Sequence, residues 1–155
     1  MLSARLLERI DRNWEEIASQ LISHTRRDAR LSQYHSLSDA EIRERARDLA
    51  RNLRRWLEGL SDAELAATYA ALGRRRCVGG VPLQEVVLKI QLIKRKFAAY
   101  ALEQNLALTP VEIYQELELL RALGRYFDIV IQGVVEGYEN ELRRNEADNL
   151  RQCLA

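Results

Sequence analysis

Apolar residues recur at steps of three and four along most of the chain, which is the pattern of helices that bury one face. The first such row is Leu7, Ile10, Trp14, Ile17 and Leu21, and it predicts one helix over about residues 3–26. The polar residues 26–36 that follow predict a connection without an apolar face of its own. The N-terminal part of the chain is therefore predicted to be helical.

Local start and stop signals divide the middle of the chain into further helices. A Ser followed three residues later by Glu, the spacing of a capping box, occurs at Ser38 and again at Ser61. Gly59 predicts the end of the helix that starts after Ser38, and the next helix should run to about Cys77. Pro82 suits the first turn of a fourth helix. These signals and the apolar rows predict an all-α fold of about five main helices.

The last predicted helix is unusually long. Thr109, Pro110 and Glu112 form a third start signal, and no Pro follows before about residue 150. About 40 residues of helix would measure about 60 Å, twice the diameter of about 30 Å expected of a small domain. We therefore expect residues 1–140 to form the helical domain and residues 141–155 to extend from it or lean on a partner.

Three glycines interrupt this long helix, at Gly124, Gly133 and Gly137. Each costs about 1 kcal/mol relative to Ala in a helix interior. Close approach of a neighbouring helix would offset that cost, and the neighbour is either another helix of the same chain or the same helix of a second copy. The second reading predicts a homodimer, for which the candidate interface residues are Leu7, Ile10, Trp14, Ile17, Leu21, Ile131, Val134 and Tyr138.

Composition narrows the class of protein without selecting a function. The 155 residues predict one domain, and the hydrophobic share of 47% and charged share of 30% are those of a soluble globular chain. Membrane-inserted, collagenous, disordered and disulfide-rich classes are excluded. The net charge of +1 argues against a general nucleic-acid binder, which would be strongly basic.

The small net charge conceals an uneven distribution. Residues 26–100 hold 16 Lys and Arg against 9 Asp and Glu, whereas residues 101–155 hold 5 against 10. Much of the basic region is expected to be a solvated helix face with ion pairs inside the chain. The alternative is a docking surface, and Arg74, Arg75 and Arg76 are the candidate contacts to an anion or an acidic partner.

Residues that carry chemistry are few. His24 and His35 have no second His or Cys at helical spacing, and the later helices lack a His that would ligate haem, so no metal and no cofactor are expected. Cys77 follows three arginines, which lower the pKa of a thiol, but no neighbour in sequence suggests an activated pair. No catalytic motif is present, and we expect no enzyme. The aromatic residues Trp56, Tyr69, Phe97 and Tyr126 either fill the core or line a pocket for an apolar ligand.

Two segments resemble a known family. Residues 34–42, YHSLSDAEI, resemble the recurring pattern Y-x-x-L-S-D-x-E-L. Residues 72–87, LGRRRCVGGVPLQEVV, resemble L-G-R-x-R-x-x-x-G-V-P-L-x-E-V. Together they are similar to the N-terminal domain of the RsbT co-antagonist RsbRD, which also stands at the front of histidine kinases. The similarity covers about residues 10–145.

This resemblance implies a cytoplasmic bacterial sensory domain of the stress response. Related stressosome sensors have a globin-like helical fold without haem, form dimers and lead through their last helix into an output domain. The resulting expectation is a non-enzymatic domain that dimerises and relays a signal through its C-terminal helix to an output domain or signalling partner. A globin-like domain that binds a small molecule or cofactor is the alternative. Neither nucleic-acid binding nor membrane insertion is expected.

Overall fold

The computed structural model describes residues 2–102 and 109–155, and this part of the chain is almost entirely helical. The α-helices are α1 (Leu2–Arg12), α2 (Trp14–Arg27), α3 (Asp39–Leu57), α4 (Asp62–Val78), α5 (Leu83–Ala101) and α6 (Pro110–Leu154). A 3-10 helix, Ala29–Tyr34, connects α2 to α3. Residues 2–102 and 109–155 contain no strand, so the all-α prediction is confirmed.

The helices start where the sequence predicts. Ser38 accepts a hydrogen bond from the Glu41 backbone, and Thr109 accepts one from the Glu112 backbone. Ser61 and Glu64 form a complete capping box. The sequence also predicts a turn over residues 105–108 and a contact of Leu108 with Ile113, and residues 105–108 lie outside the described part of the chain.

The single first helix predicted over residues 3–26 is wrong in one respect, because the chain breaks at Asn13. The Asn13 side chain donates to the Arg9 carbonyl oxygen at 2.7 Å and competes with the helical backbone for that acceptor. Asn13 leaves helical geometry at φ −102° and ψ 13°, and α2 starts at Trp14. The apolar row nevertheless continues across the break, so both helices bury the same side.

The polar connection predicted at residues 26–36 also differs from the structure. Its 3-10 helix buries Leu31 and Tyr34 almost completely. Asp28 starts this helix by accepting a hydrogen bond from the Arg30 backbone at 2.9 Å. The two apolar residues are spaced three apart, which suits a 3-10 helix but is too short a row to stand out in the sequence.

A row of aromatic rings runs through the core. Trp14 contacts Phe97, Phe97 contacts Phe127, and Phe127 contacts Tyr126, with ring centroids 6.4, 5.9 and 5.1 Å apart. Trp56 closes the row against Tyr126 at 5.8 Å. These rings connect α2, α3, α5 and α6, and the first three pairs have the edge-to-face geometry that is favourable for aromatic rings.

The closest helix pair is α4 with α6. A Cβ added to Gly73 would lie 2.1 Å from the Val134 carbonyl oxygen, and one added to Gly137 would lie 1.9 Å from the Ala70 carbonyl oxygen. Gly133 faces Ala66 in the same way, at 2.7 Å. The two backbones are therefore in direct contact, which only glycine permits at these positions.

The long last helix is confirmed and spans 45 residues, or about 68 Å. Its middle is buried against α4 and α5, whereas every residue from Leu142 to Ala155 is exposed. At its other end Val111, Ile113 and Tyr114 are at least half exposed. Helix α6 thus extends beyond the body of the domain at its C-terminal end.

Candidate functional site

A pocket of about 360 Å³ opens between α3, α4, α5 and the 3-10 helix. We call it the cationic pocket. Its apolar lining is Leu37, Ile42, Leu49, Leu72, Val86, Ile90 and Ile93, and its aromatic lining is Tyr34 and Tyr69. The cations that line it are Arg45, Arg55, Arg75, Arg76 and Lys89. Volume and apolar lining are both typical of small-molecule sites.

Helical spacing explains how each cation reaches the pocket. On α3, Arg45 and Arg55 flank the buried row that contains Leu49. On α4, Arg75 and Arg76 lie three and four residues after Leu72, on the same side of the helix. Each helix thus contributes basic residues from the border between its buried and exposed faces, and the packing of three helices directs them into one space.

The pocket cations have no acidic partners. Within the part of the chain that the structure describes, none of Arg45, Arg55, Arg75, Arg76 and Lys89 forms an ion pair with a carboxylate. The one carboxylate in the lining belongs to Asp48, and it pairs with Arg51 at 2.8 Å. The pocket therefore carries an uncompensated positive charge above an apolar floor.

Lys89 is the most deeply buried of these cations, with 5% of its surface exposed. Its ammonium group donates to the Thr25 hydroxyl and lies 6.0 Å from the centre of the Tyr34 ring. Burial, followed by the positive charges of Arg45 and Arg26, lowers the pKa of Lys89 to about 8. Burial and like charge thus both disfavour the charged form of Lys89.

The pKa of Arg76 is lowered for the same reasons. Burial, followed by the charges of Arg45 and Arg75, lowers the pKa of its guanidinium group, and the neighbouring Tyr34 opposes this shift. Burial also raises the pKa of the Tyr34 hydroxyl, while Arg76 and Arg45 act against that rise. Tyr34 is thus a neutral polar contact for the arginine and supplies no compensating negative charge at neutral pH.

A hydrogen-bonded wall holds the pocket in shape. The Asn52 amide donates to the Tyr69 hydroxyl at 3.1 Å, and the Tyr69 and Tyr126 hydroxyls are 3.4 Å apart. Tyr126 donates in turn to the Leu49 carbonyl oxygen at 2.7 Å. Burial is the main cause of the raised pKa of both tyrosines, which therefore remain hydrogen-bond donors.

The four aromatic residues predicted to line a pocket separate into two groups. Tyr69 lines the cationic pocket. Trp56, Phe97 and Tyr126 instead belong to the aromatic row of the core. Helical spacing predicts that all four side chains are buried. Only the packing of the helices decides whether such a residue lines a pocket or fills the core.

The three consecutive arginines of α4 also separate. Arg75 and Arg76 line the cationic pocket. Arg74 points to α6, where its guanidinium group lies 3.3 Å from the Glu141 carboxylate. The three arginines therefore lie on two different surfaces: Arg75 and Arg76 face the pocket, and Arg74 faces α6.

The residues predicted as a dimer interface lie mainly inside the domain. Seven of them are buried within the single chain: Leu7, Ile10, Trp14, Ile17, Leu21, Val134 and Tyr138. They present no surface to a second copy in this conformation, because helices of the same chain cover them. Ile131 is half-buried. Periodicity identifies a buried face and does not tell which chain buries it.

The three glycines of α6 do not have the same surroundings. Gly133 and Gly137 are in close contact with α4 of the same chain, whereas a Cβ at Gly124 would meet nothing within 4 Å. Gly124 lies seven residues after Leu117 and seven before Ile131, so the three share one face of α6. Leu117 is 48% exposed. No contact within the described chain explains why this face keeps a glycine.

The RsbT co-antagonist protein rsbRD N-terminal domain family matches residues 15–152. The chain belongs to this family. No curated protein and no solved structure is significantly similar to it. The match to the RsbRD N-terminal domain family includes α2 to α5 and nearly all of α6, so the cationic pocket and the contact of α4 with α6 both lie within it.

Membership in the RsbRD N-terminal domain family makes this chain a regulatory domain of the stressosome-associated type. In residues 2–102 and 109–155, no helix is long and apolar enough to cross a membrane. No cluster of three or more His, Cys, Asp or Glu side chains in those residues is placed to hold a metal ion. The cationic pocket is more enclosed than the two larger grooves beside α1, and it is the candidate site in the described residues.

Cys77 does not behave as an activated thiol. Burial, followed by the charge of Glu141, raises the pKa of its thiol. Arg74, which the sequence places nearby, is engaged with that same Glu141. The thiolate form is thus disfavoured, which is the opposite of what a nucleophile requires.

Proposed function

We propose that this domain is a non-enzymatic regulatory module that self-associates along α6 and relays its state through the projecting end of that helix. The relay would lead to an output domain or a signalling partner. The observation that carries the proposal is the exposure of apolar side chains on both ends of one 45-residue helix whose middle is buried. In this view residues 1–140 form the sensory body and residues 141–155 the connection.

Two features support self-association. Near the start of α6, Val111, Ile113, Tyr114 and Leu117 expose between 48% and 66% of their surfaces. The face that carries Leu117 continues through the bare Gly124 to Ile131, and a second α6 that approached closely there would offset the cost of the glycine. A two-fold interface that buries the same residues of both copies is the commonest arrangement of homo-oligomers.

The projecting end supports the relay. Leu142, Leu150 and Leu154 are 43%, 63% and 87% exposed, and they follow one another at intervals of eight and four residues. That spacing keeps them on adjoining faces of the helix. An apolar strip on a helix without neighbours is suited to contact a second chain or a following domain.

Sedimentation velocity tests self-association directly. We expect the wild-type protein to be a dimer at tens of micromolar, and the double variant Tyr114→Glu with Leu117→Glu to be a monomer. Val78→Glu is the matched control, because Val78 is 68% exposed at the end of α4 and lies outside the proposed interface. A monomeric wild-type protein at this concentration contradicts the proposal.

The direction of the two helices tests the relay. Cys153 is exposed near the end of α6 and accepts a spin label once Cys77 is replaced by Ser. Two copies that relay a signal to one output must place both ends together, so we expect a label separation below about 30 Å. An antiparallel pair of helices, each about 68 Å long, would place the labels much farther apart and would exclude the relay.

A further inference from the structure

We propose that the cationic pocket binds a small organic anion with an apolar body, headed by a carboxylate or a phosphate ester. The inference goes beyond the relay and holds whether or not the domain dimerises. Five cations line a space of about 360 Å³, and none of them forms an ion pair with a carboxylate of residues 2–102 or 109–155; the rest of the lining is mostly aliphatic and aromatic. That combination fits a ligand that has both a negative head and an apolar body.

The charge of the pocket requires an explanation that the protomer does not provide. Three arginines on the other side of α3 are paired: Arg47 and Arg54 both bind Asp11, and Arg43 binds Glu15. Arg45 and Arg55 of the same helix line the pocket and form no ion pair within the described residues. Burying cations beside one another destabilises the empty site, and a bound anion would reverse that effect.

Burial sets the size of the ligand. The Lys89 ammonium group lies behind the pocket mouth with 5% of the residue exposed, so a wide surface of another protein does not reach it. Arg75 is exposed and Arg76 is half-buried. The cations of the lining thus range from exposed to buried, and the apolar lining residues Leu49, Ile90 and Ile93 are buried.

The geometry also assigns roles to the polar groups. Arg45 and Arg76 present planar guanidinium groups, which bind carboxylate or phosphate oxygens in a bidentate manner. The Tyr34 and Tyr69 rings are buried and form part of the lining that would surround the apolar body. The Tyr69 hydroxyl already accepts a hydrogen bond from Asn52, so the apolar body of the ligand need not provide a polar partner for it.

Calorimetric titration of the full chain with matched probes tests the proposal. The probes are ω-phenylalkyl compounds of two to six methylenes, each as the carboxylate, the phosphate monoester and the neutral alcohol. At least one anion should bind about tenfold or more tightly than the alcohol of the same length, since a charge-assisted hydrogen bond contributes more than a neutral one. The preferred head group distinguishes a carboxylate ligand from a phosphate ester, and inorganic phosphate should bind far more weakly than either.

Neighbouring arginines provide the variants. Arg76→Gln should weaken anion binding about tenfold and leave binding of the alcohol unchanged. Arg74→Gln removes the same charge two residues away but outside the pocket, so its affinity should stay within about twofold of the wild type. Arg75→Gln, at an exposed position, replaces Arg76→Gln if that variant does not fold, and it too should weaken only the anion.

Two results would overturn the proposal. In the first, every anion of the series binds no more tightly than its alcohol, which would mean that the pocket does not select charge. In the second, Arg74→Gln weakens binding as much as the pocket variants, which would place the effect in the overall charge of the protein.

Discussion

Replacing Gly137 by Ala tests whether the direct backbone contact of α4 with α6 holds the fold together. The new Cβ would lie 1.9 Å from the Ala70 carbonyl oxygen and 2.6 Å from the Ala70 carbonyl carbon. An ordinary contact between heavy atoms is about 3.5 Å, so the helices must separate locally by about 1.5 Å. The atoms in the way belong to the backbone, and no side chain can rotate to make room.

The size of the effect follows from two opposing contributions. Ala is favoured over Gly in a helix interior by about 1 kcal/mol. Overfilling a packed interface costs about 1–3 kcal/mol, and the upper end applies here because Gly73 and Gly133 hold the same two helices together. We therefore expect Gly137→Ala to lower the free energy of unfolding by about 2 kcal/mol. In a domain of this size that corresponds to a fall in Tm of about 4–8 °C.

Gly124 provides the control in the same helix. A Cβ there meets nothing within 4 Å, so Gly124→Ala should raise the free energy of unfolding by about 0.5–1 kcal/mol. Urea unfolding followed by circular dichroism measures both variants at a concentration at which the wild type has one oligomeric state. Equal or greater stability of Gly137→Ala relative to the wild type would refute the reasoning.

Two further predictions concern buried charges. Because the pKa of Lys89 falls from 10.5 to about 8 on folding, the unfolded chain binds more protons between these values, and stability should rise with pH in that window. Lys89→Met should remove this rise and stabilise the protein at pH 7, as urea unfolding at pH 7 and pH 9 would show; an unchanged pH dependence would contradict the assignment. Arg9 is 5% exposed and binds Glu116 through two hydrogen bonds of 2.9 and 3.0 Å. Glu116→Gln should lower stability by about 2–3 kcal/mol, whereas Glu118→Gln, which removes the partner of the exposed Arg121, should change it by less than about 0.5 kcal/mol. Equal effects in thermal unfolding would argue against the Arg9–Glu116 pair.

Much of the helical organisation can be predicted from the sequence because its signals are local. The serines that start α3 and α4, and the Thr109 that starts α6, act within four residues of themselves. The break at Asn13 is local too, but it depends on one side chain choosing a backbone acceptor, and the apolar row crosses it without interruption. A row of apolar residues therefore predicts a buried face and not an unbroken helix.

The candidate site is harder to predict because it depends on helices that are distant in sequence. Arg45 and Arg76 occupy ordinary positions at the edge of a buried face, Lys89 lies within one, and nothing in their spacing shows that they line the same pocket. Similarly, Gly124 and Gly137 look alike in the sequence, yet one faces open space and the other a backbone. The absence of ion pairs around the pocket distinguishes these cations from others on the same helices. A sequence does not show it, because the ion pairs join residues that are distant along the chain.

The contact at Gly73, Gly133 and Gly137 is a point about which α6 would tilt, because it joins α6 directly to the backbone of α4. No flexible side chain separates the two backbones at these positions, so under the proposed relay a displacement of α4 would move α6 with it. The segment from Gly137 to Leu154 is about 26 Å long at 1.5 Å per residue, and a tilt of about 5° at this contact would move its end by about 2 Å. Arg75 and Arg76 lie on α4 within one turn of Gly73, so the cationic pocket adjoins the contact about which α6 would tilt.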